Sequence, residues 1–323
     1  MFFADDSLRA LVLALLLDAL VGDPDWLWTR VPHPVVLFGW AIDRLEGALN
    51  NENESEGQRC MAGILAIVIL VDCSAALGWL IERGLHMFKV GWMIEAVIAS
   101  AFMAQRSLYE HVVRVRLAFA AGGLTDARRA VGAIVGRDPK ALDKAGVCRA
   151  AIETTAENFS DAVVAPALWF ALLGLPGLFV YKAINTADSM IGHLTERHRA
   201  FGWAAARLDD LVNLVPARLS ALLLALVAPL TGGSMMRTLG VALSDAQKHR
   251  SPNAGWPESA MAAALGIVLV GPRVYPERIV EDPFVNATGR MTARPDDIER
   301  GLKLLVAACV LEGALYAALT LFV

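Results

Sequence analysis

Three polar, ionisable clusters lie between Glu153 and Arg218: ETTAENFSD (153–161), YKAINTADSM (181–190) and ARLDDLVNLVPARL (206–219). Apolar runs flank them, VVAPALWFALLGLPGLFV (163–180) between the first two and LSALLLALVAPL (219–230) after the third. Charge beside hydrocarbon-facing sequence is costly, so it marks a functional site by default. Glu153, Glu157 and Asp161 recur every four positions and on a helix would share one face. Three like charges there repel unless Mg2+, Lys or Arg neutralises them, and Asn158 adds a neutral oxygen of the kind Mg2+ accepts. The blander reading is a solvated helix face. The apolar run directly after the cluster weighs against it.

Lys182, Asn185 and Asp188 follow the same helical logic, with Tyr181, Thr186 and Ser189 beside them. A lysine near phosphates acts as a point charge, while Asn and Asp can hold Mg2+. The alternative is a Tyr/Lys anchor at a membrane interface. In the third cluster Asp209, Asp210 and Asn213 make a reasonable Mg2+–phosphate site, bracketed by Arg207 and Arg218. Guanidiniums suit bidentate phosphate or carboxylate binding, although a salt-bridge network at a helix end would use the same residues. Near the N-terminus Asp18, Asp23 and His33 form a fourth group among turns. His33 is either a proton shuttle or substrate contact, or a structural turn residue. No GxxxxGK[ST] loop, GxGxxG or HExxH occurs, so any ATP site is non-standard.

The elements that must position these groups are membrane helices. Of the 323 residues, 56% are hydrophobic and 19% charged, and the mean hydropathy is +0.49. Apolar stretches near the roughly 20 residues needed to cross a bilayer lie at 8–23, 61–81, 163–180, 211–230 and 302–323, with shorter candidates at 92–104 and 260–272. The fold class is all-α: a polytopic integral membrane protein with roughly five to seven membrane-embedded helices and a helical cytoplasmic insertion. The first span follows an acidic start and has no small-residue cleavage site, so it reads as a retained helix. Four scattered cysteines, Cys60, Cys73, Cys148 and Cys309, have no C-x-x-C spacing and read as small buried hydrophobes.

Residues 1–104 form N-terminal membrane helices with a polar loop at 24–60, whose NNENESEGQ run (50–58) reads as solvated or mobile. The basic stretch 105–150, with Arg106, Arg114, Arg116, Arg128, Arg129, Arg137, Lys140, Lys144 and Arg149, places the insertion 105–160 in the cytoplasm by the positive-inside tendency. Within it Thr125 or Asp126 can cap one helix, and Asp138, with Pro139 following, another. Residues 161–230 carry the site motifs. There Pro176-Gly177 interrupts the apolar run, making it a short span or a re-entrant element. A Pro/Gly-containing loop module at 231–301 (Gly232, Gly233, Pro252, Pro257, Pro272, Pro276, Pro283, Pro295) precedes a final helix at 302–323. The formal net charge of −4 offers no nucleic-acid footprint.

Together, DALVGDPDWLWTRVPHPVVLFG (18–39), IVGRDPKALDKAGVCRAAIETTAENFSDAVVAPALWF (134–170), PGLFVYKAINTADSMIGH (176–193) and FGWAAARLDDLVNLVPARL (201–219) resemble the CobD/CbiB family of cobalamin biosynthesis. Four ordered motifs are far more specific than any one of them. The loop 50–58 and the C-terminal third match loosely. The resemblance implies an integral enzyme of the cytoplasmic (inner) membrane with a cytoplasm-facing site. It implies joining a free carboxylate of adenosylcobyric acid to (R)-1-amino-2-propanol or its O-phosphate with ATP and Mg2+, beside membrane lipid and other late cobalamin-pathway enzymes. For that chemistry Glu153, Glu157, Asp161 and Asp188 are the catalytic candidates. His33, Asn158, Lys182, Asn185, Arg207 and Arg218 are the substrate and phosphate contacts, and Asp209, Asp210 and Asn213 the metal ligands. Two other classes fit less well. A non-catalytic AmpE-like membrane sensor predicts eroded acidic motifs, and a Mg2+-dependent prenyl- or phosphotransferase predicts a second Asp-rich motif of one type.

Overall fold

The computed structural model describes residues 5–135, 138–193, 195–274, 279–280 and 282–322, so Arg137 and Pro276 lie outside the described residues. The helices in chain order are α1 (Asp5–Leu20), α2 (Asp25–Trp28), α3 (Pro34–Leu49), α4 (Glu56–Leu85), α5 (Gly91–Ser100), α6 (Gln105–Ala121) and α7 (Gly123–Gly132). They continue with α8 (Lys144–Phe159), α9 (Ala165–Ile191), α10 (Trp203–Val212), α11 (Leu214–Val227), α12 (Met235–Asp245), α13 (Gly255–Leu265) and α14 (Pro295–Leu319). Among the described residues two short antiparallel ribbons lie between α13 and α14: β1 (Leu269–Val270) pairs with β4 (Phe284–Val285), and β2 (Arg273–Val274) with β3 (Ile279–Val280). The protein is all-α. Four helical stretches are long and apolar enough to cross a membrane among the described residues: Glu56–Leu85, Lys144–Ile191, Leu214–Thr231 and Pro295–Leu319. The expected span at 8–23 falls short because α1 holds 16 residues and stops ahead of Gly22, whose φ is +66°. The 92–104 and 260–272 candidates become helices of 10 and 11 residues.

The chain divides into two compact units. The first comprises residues 1–104, 165–213 and 315–323. Its core gathers Leu8, Leu11, Phe38, Phe102, Phe170 and Phe179 with their neighbours. Helices α4 and α9 form its most extensive pair. They approach so closely that a Cβ on Gly78 would lie 2.7 Å from the Pro176 backbone. The opposite side of α4 exposes Leu65, Val68, Leu77, Trp79 and Leu80, an apolar surface suited to lipid.

The expected interruption is present in α9, but it sits upstream of Pro176. Proline has no N–H and crowds the carbonyl four residues back, so the strain is released on the N-terminal side. Gly174 takes φ +64°, ψ −151°, which glycine adopts without a Cβ penalty. The Leu175 N–H is donated to Glu82 Oε2 of α4 at 2.8 Å. Irregular backbone at membrane depth requires such a protein partner.

The run 50–58 is exposed from Asn51 onward, as its composition implies, with its last three residues opening α4, and it is tied down at its base. Asn50 Nδ2 donates to Glu46 Oε1 and to Arg197 O, and its Oδ1 accepts from Arg59 Nε. Arg197 grips Glu46 with two bonds of 2.7 and 2.9 Å, which holds the Glu46 carboxyl below its usual range. Ser55 and Gln58 close a reciprocal cap on α4.

The second unit comprises residues 105–164 and 214–314, so the stretch read as an insertion packs with the later loop module around one core. Within it α7 begins at Gly123, ahead of Thr125 and Asp126, which fall inside its first turn. Asp138 caps only the short turn Pro139–Ala141, accepting from Lys140 N at 2.9 Å. Leu142 is extended, and Asp143 starts α8 afresh by accepting from Gly146 N at 2.6 Å.

Candidate active site

In the first unit α9 and α10 bring the second and third polar clusters together. Tyr181, Ala183, Ile184, Ala187 and Ile191 form the buried stripe of α9 beyond the Gly174 break. That stripe turns Asn185 and Asp188 to its flank, where both are half-buried. Lys182, one turn before Asn185 and Thr186, is 9% exposed, a depth at which a charged side chain is rarely left without purpose. From α10, Asp209 meets them. Asn185 Nδ2 donates to Asp209 Oδ1 at 3.3 Å, and Asn213 Nδ2 donates to Asp209 Oδ2 at 3.0 Å and to its main-chain oxygen at 3.1 Å.

Asn213 is not placed as an open oxygen ligand. Its Oδ1 accepts from the Tyr181 hydroxyl at 3.0 Å, and both side chains are 1% exposed. The amide therefore fixes the Asp209 rotamer, and Tyr181 fixes the amide. Asp210 turns away on α10 and pairs with Arg207 Nη1 at 3.1 Å on the more exposed side.

Burial, reinforced by the charge of Asp188, pushes the Asp209 carboxyl up to about 7 against the opposing bonds from Asn185 and Asn213. Burial also raises Asp210, and Arg207 opposes it. Asp188 and Asp209, two carboxyls whose charges oppose one another, are prepared for a proton or a cation. Among the described residues no group of three or more His, Cys, Asp and Glu side chains stands at metal-binding spacing. Asp188 and Asp209 as a pair of carboxylates fit Mg2+, which is usually held by one or two carboxylates and completes its shell with water and substrate phosphate.

The first cluster and Arg218 belong to the second unit. Glu153 is 3% exposed, and its Oε1 accepts the main-chain N–H of Val270 at 2.8 Å. Val270 has φ +62°. A β-branched residue in that region is strained and persists only where its surroundings hold it. Glu153 is thus a positioning group for the strand β1. Glu157, one turn later on α8, is exposed, and Asn158 donates back to Thr154 O at 3.0 Å. Asp161 falls in a π-helical turn, Ser160–Val164, whose wider repeat breaks the four-residue spacing. The three carboxylates therefore have three different environments.

His33 sits in the first unit with both ring nitrogens engaged. Nδ1 accepts from Val35 N at 3.3 Å to cap α3, and Nε2 faces Asp23 Oδ1 at 3.4 Å. Its ring meets Trp28 edge-on at 4.5 Å. This is the turn role. Glu82 and Val270 were not singled out by spacing.

Comparison with known proteins follows the same line. The family described as CobD/Cbib protein matches residues 11–305. Among curated relatives, "Cobalamin biosynthesis protein CobD" of Sinorhizobium sp is 50% identical over 321 residues, covering 98% of this chain and 99% of the relative. The protein of the same name from Sinorhizobium fredii is 51% identical over 314 residues, 96% of each chain. That from Rhodobacter capsulatus is 46% identical over 294 residues, 91% of each. No solved structure matches.

Proposed function

Starting from the fact that this chain belongs to the CobD/CbiB family of cobalamin biosynthesis, we propose that it is an ATP-dependent ligase. It joins a free carboxylate of adenosylcobyric acid to (R)-1-amino-2-propanol or its O-phosphate. A carboxylate is a poor electrophile. Transfer of the ATP γ-phosphoryl group to one of its oxygens gives an acyl phosphate and ADP. The amine nitrogen then attacks the acyl carbon, loses a proton to a carboxylate base, and expels inorganic phosphate as the amide forms.

The observation that carries this reading is the Asp188–Asp209 pair, gathered with Asn185 on the flank of membrane-embedded α9. Mg2+ there would neutralise phosphate charge during transfer. Lys182 supplies a fixed positive charge for phosphate within the same helix face, and Tyr181 and Asn213 keep Asp209 in one rotamer. Arg207 and Asp210 form an exposed pair at the rim, where either can exchange its partner for substrate. The protein works in the inner membrane with this site open to the cytoplasm, where ATP is available.

The test is a Mg2+ titration of turnover in purified protein. Asp188→Asn should raise the Mg2+ concentration needed for half-maximal rate by about tenfold or more, the loss of one carboxylate from a site that has two. An unchanged Mg2+ requirement in both Asp188→Asn and Asp209→Asn would remove the pair from the metal site.

A further inference from the structure

In the second unit one arginine is immobilised without a carboxylate partner. Arg218, half-buried near the start of α11, stacks over the Trp256 ring with its Cζ 4.6 Å from the centroid. Its Nη1 donates to three oxygens: Leu214 O at 2.9 Å, Asn253 Oδ1 at 3.2 Å and Pro252 O at 3.3 Å. Among the described residues Arg218 makes no ion pair, and no bond is made by Nε or Nη2. The free edge is therefore the side-on pair Nε–H and Nη2–H, whose parallel donors match the two oxygens of a carboxylate or phosphate.

The loop under Arg218 is itself braced. His249 Nδ1 accepts from Ser251 N at 3.1 Å, and Ser251 Oγ accepts from Asn253 N at 3.2 Å and Ala254 N at 3.1 Å. His249 in turn sits 3.7 Å from the buried Glu258 carboxylate at the start of α13. Arg218 is held from below by an aromatic face and from one side by neutral oxygens, and its remaining donors are aligned in advance.

We propose that Arg218 is a preformed receptor for a two-oxygen anion, carboxylate or phosphate, and that Trp256 and Asn253 are its positioning residues. The proposal rests on the ligase reading for the identity of that anion, which belongs to one of the reactants: the corrinoid carboxylate, the nucleotide phosphates or the phosphate of the amino alcohol. Recognition by the side-on edge predicts that lysine cannot replace Arg218, since an ammonium offers no parallel pair.

The test has two arms on the full protein in detergent. In the first, thermal stability is measured with inorganic phosphate or acetate against chloride at equal ionic strength. Wild type should be stabilised by one of the two anions, Trp256→Phe should keep the effect, and Arg218→Lys and Trp256→Leu should lose it. This arm needs no turnover, so it stands even if the ligase reading fails. In the second, KM is measured separately for ATP, the corrinoid and the amino alcohol with and without its phosphate. Trp256→Leu should raise one KM about 3- to 30-fold, the size of a cation–π contact, with kcat unchanged and Trp256→Phe largely restoring it. The reactant affected identifies the anion. Equal stabilisation of all variants by the anions, or a fall in kcat with every KM unchanged, would overturn the proposal.

Discussion

Asn185 of the YKAINTADSM motif donates to Asp209 of the RLDDLVN motif at 3.3 Å, joining two clusters 24 positions apart. With Asn213 on the other oxygen, Asp209 is held in place by two amides and faces the charge of Asp188. A carboxyl so confined titrates near neutrality, and its chemistry becomes sensitive to pH in the physiological range.

Asp209→Asn should abolish most turnover while leaving the protein folded. The folded carboxyl titrates at about 7 against an ordinary value of 3.8. Between those values the folded state therefore holds a proton that the unfolded state has released. Linkage then requires stability to fall as pH rises from about 4 to about 7 and to level off above. Thermal melts across that window should show this slope in wild type and a smaller one in Asp209→Asn. Parallel slopes would mean that Asp209 titrates normally.

Tyr181→Phe removes the hydroxyl that donates to the buried Asn213 amide oxygen. Leaving Asn213 Oδ1 unsatisfied should cost about 1–3 kcal/mol, read as a lower denaturation midpoint. Turnover should fall as well, because Asn213 is then free to rotate away from Asp209. Unchanged stability would show that water reaches the amide.

How much of this could be read beforehand differs from element to element. The apolar runs announced the long helices, and Pro176 announced a break in α9. Its position at Gly174 was not legible, because the acceptor for the released N–H, Glu82, lies 93 positions away from Leu175. The face shared by Glu153, Glu157 and Asp161 assumed an uninterrupted α-helix, and the π-turn at Ser160–Val164 carries no marker in the sequence. His33 before proline pointed to a turn, and the turn is what it builds. The polar motifs identified the residues of the site, but nothing local could say that Asn185 meets Asp209. Such pairings depend on how helices pack, and periodicity within one helix does not contain them.

Glu82→Ala should destabilise the first unit by about 1–3 kcal/mol, the cost of a buried N–H left without an acceptor. Gly174→Ala should do the same for another reason: its φ of +64° disfavours any Cβ, and that Cβ would run into the Glu82 carboxylate. The double variant should be less than additive, because both changes act on one contact. Additive losses in urea midpoints would separate the two residues.

Glu153→Gln keeps an oxygen for the Val270 N–H and removes only the charge, so turnover should stay within a few-fold of wild type. Glu153→Ala should release the strained Val270 conformation and lower stability. A Gln variant that folds normally but has lost turnover by orders of magnitude would return Glu153 to the catalytic set.

The most direct measurement supplies purified protein with adenosylcobyric acid, Mg2+-ATP and (R)-1-amino-2-propanol or its O-phosphate, with 18O in the corrinoid carboxylates. Mass spectrometry should find the amide, one ADP for each amide formed, and one 18O carried into the inorganic phosphate released. Amide formation without ATP, or phosphate free of label, would contradict activation through an acyl phosphate. No amide with either amino alcohol, from protein that is folded and embedded in lipid, would contradict the ligase itself.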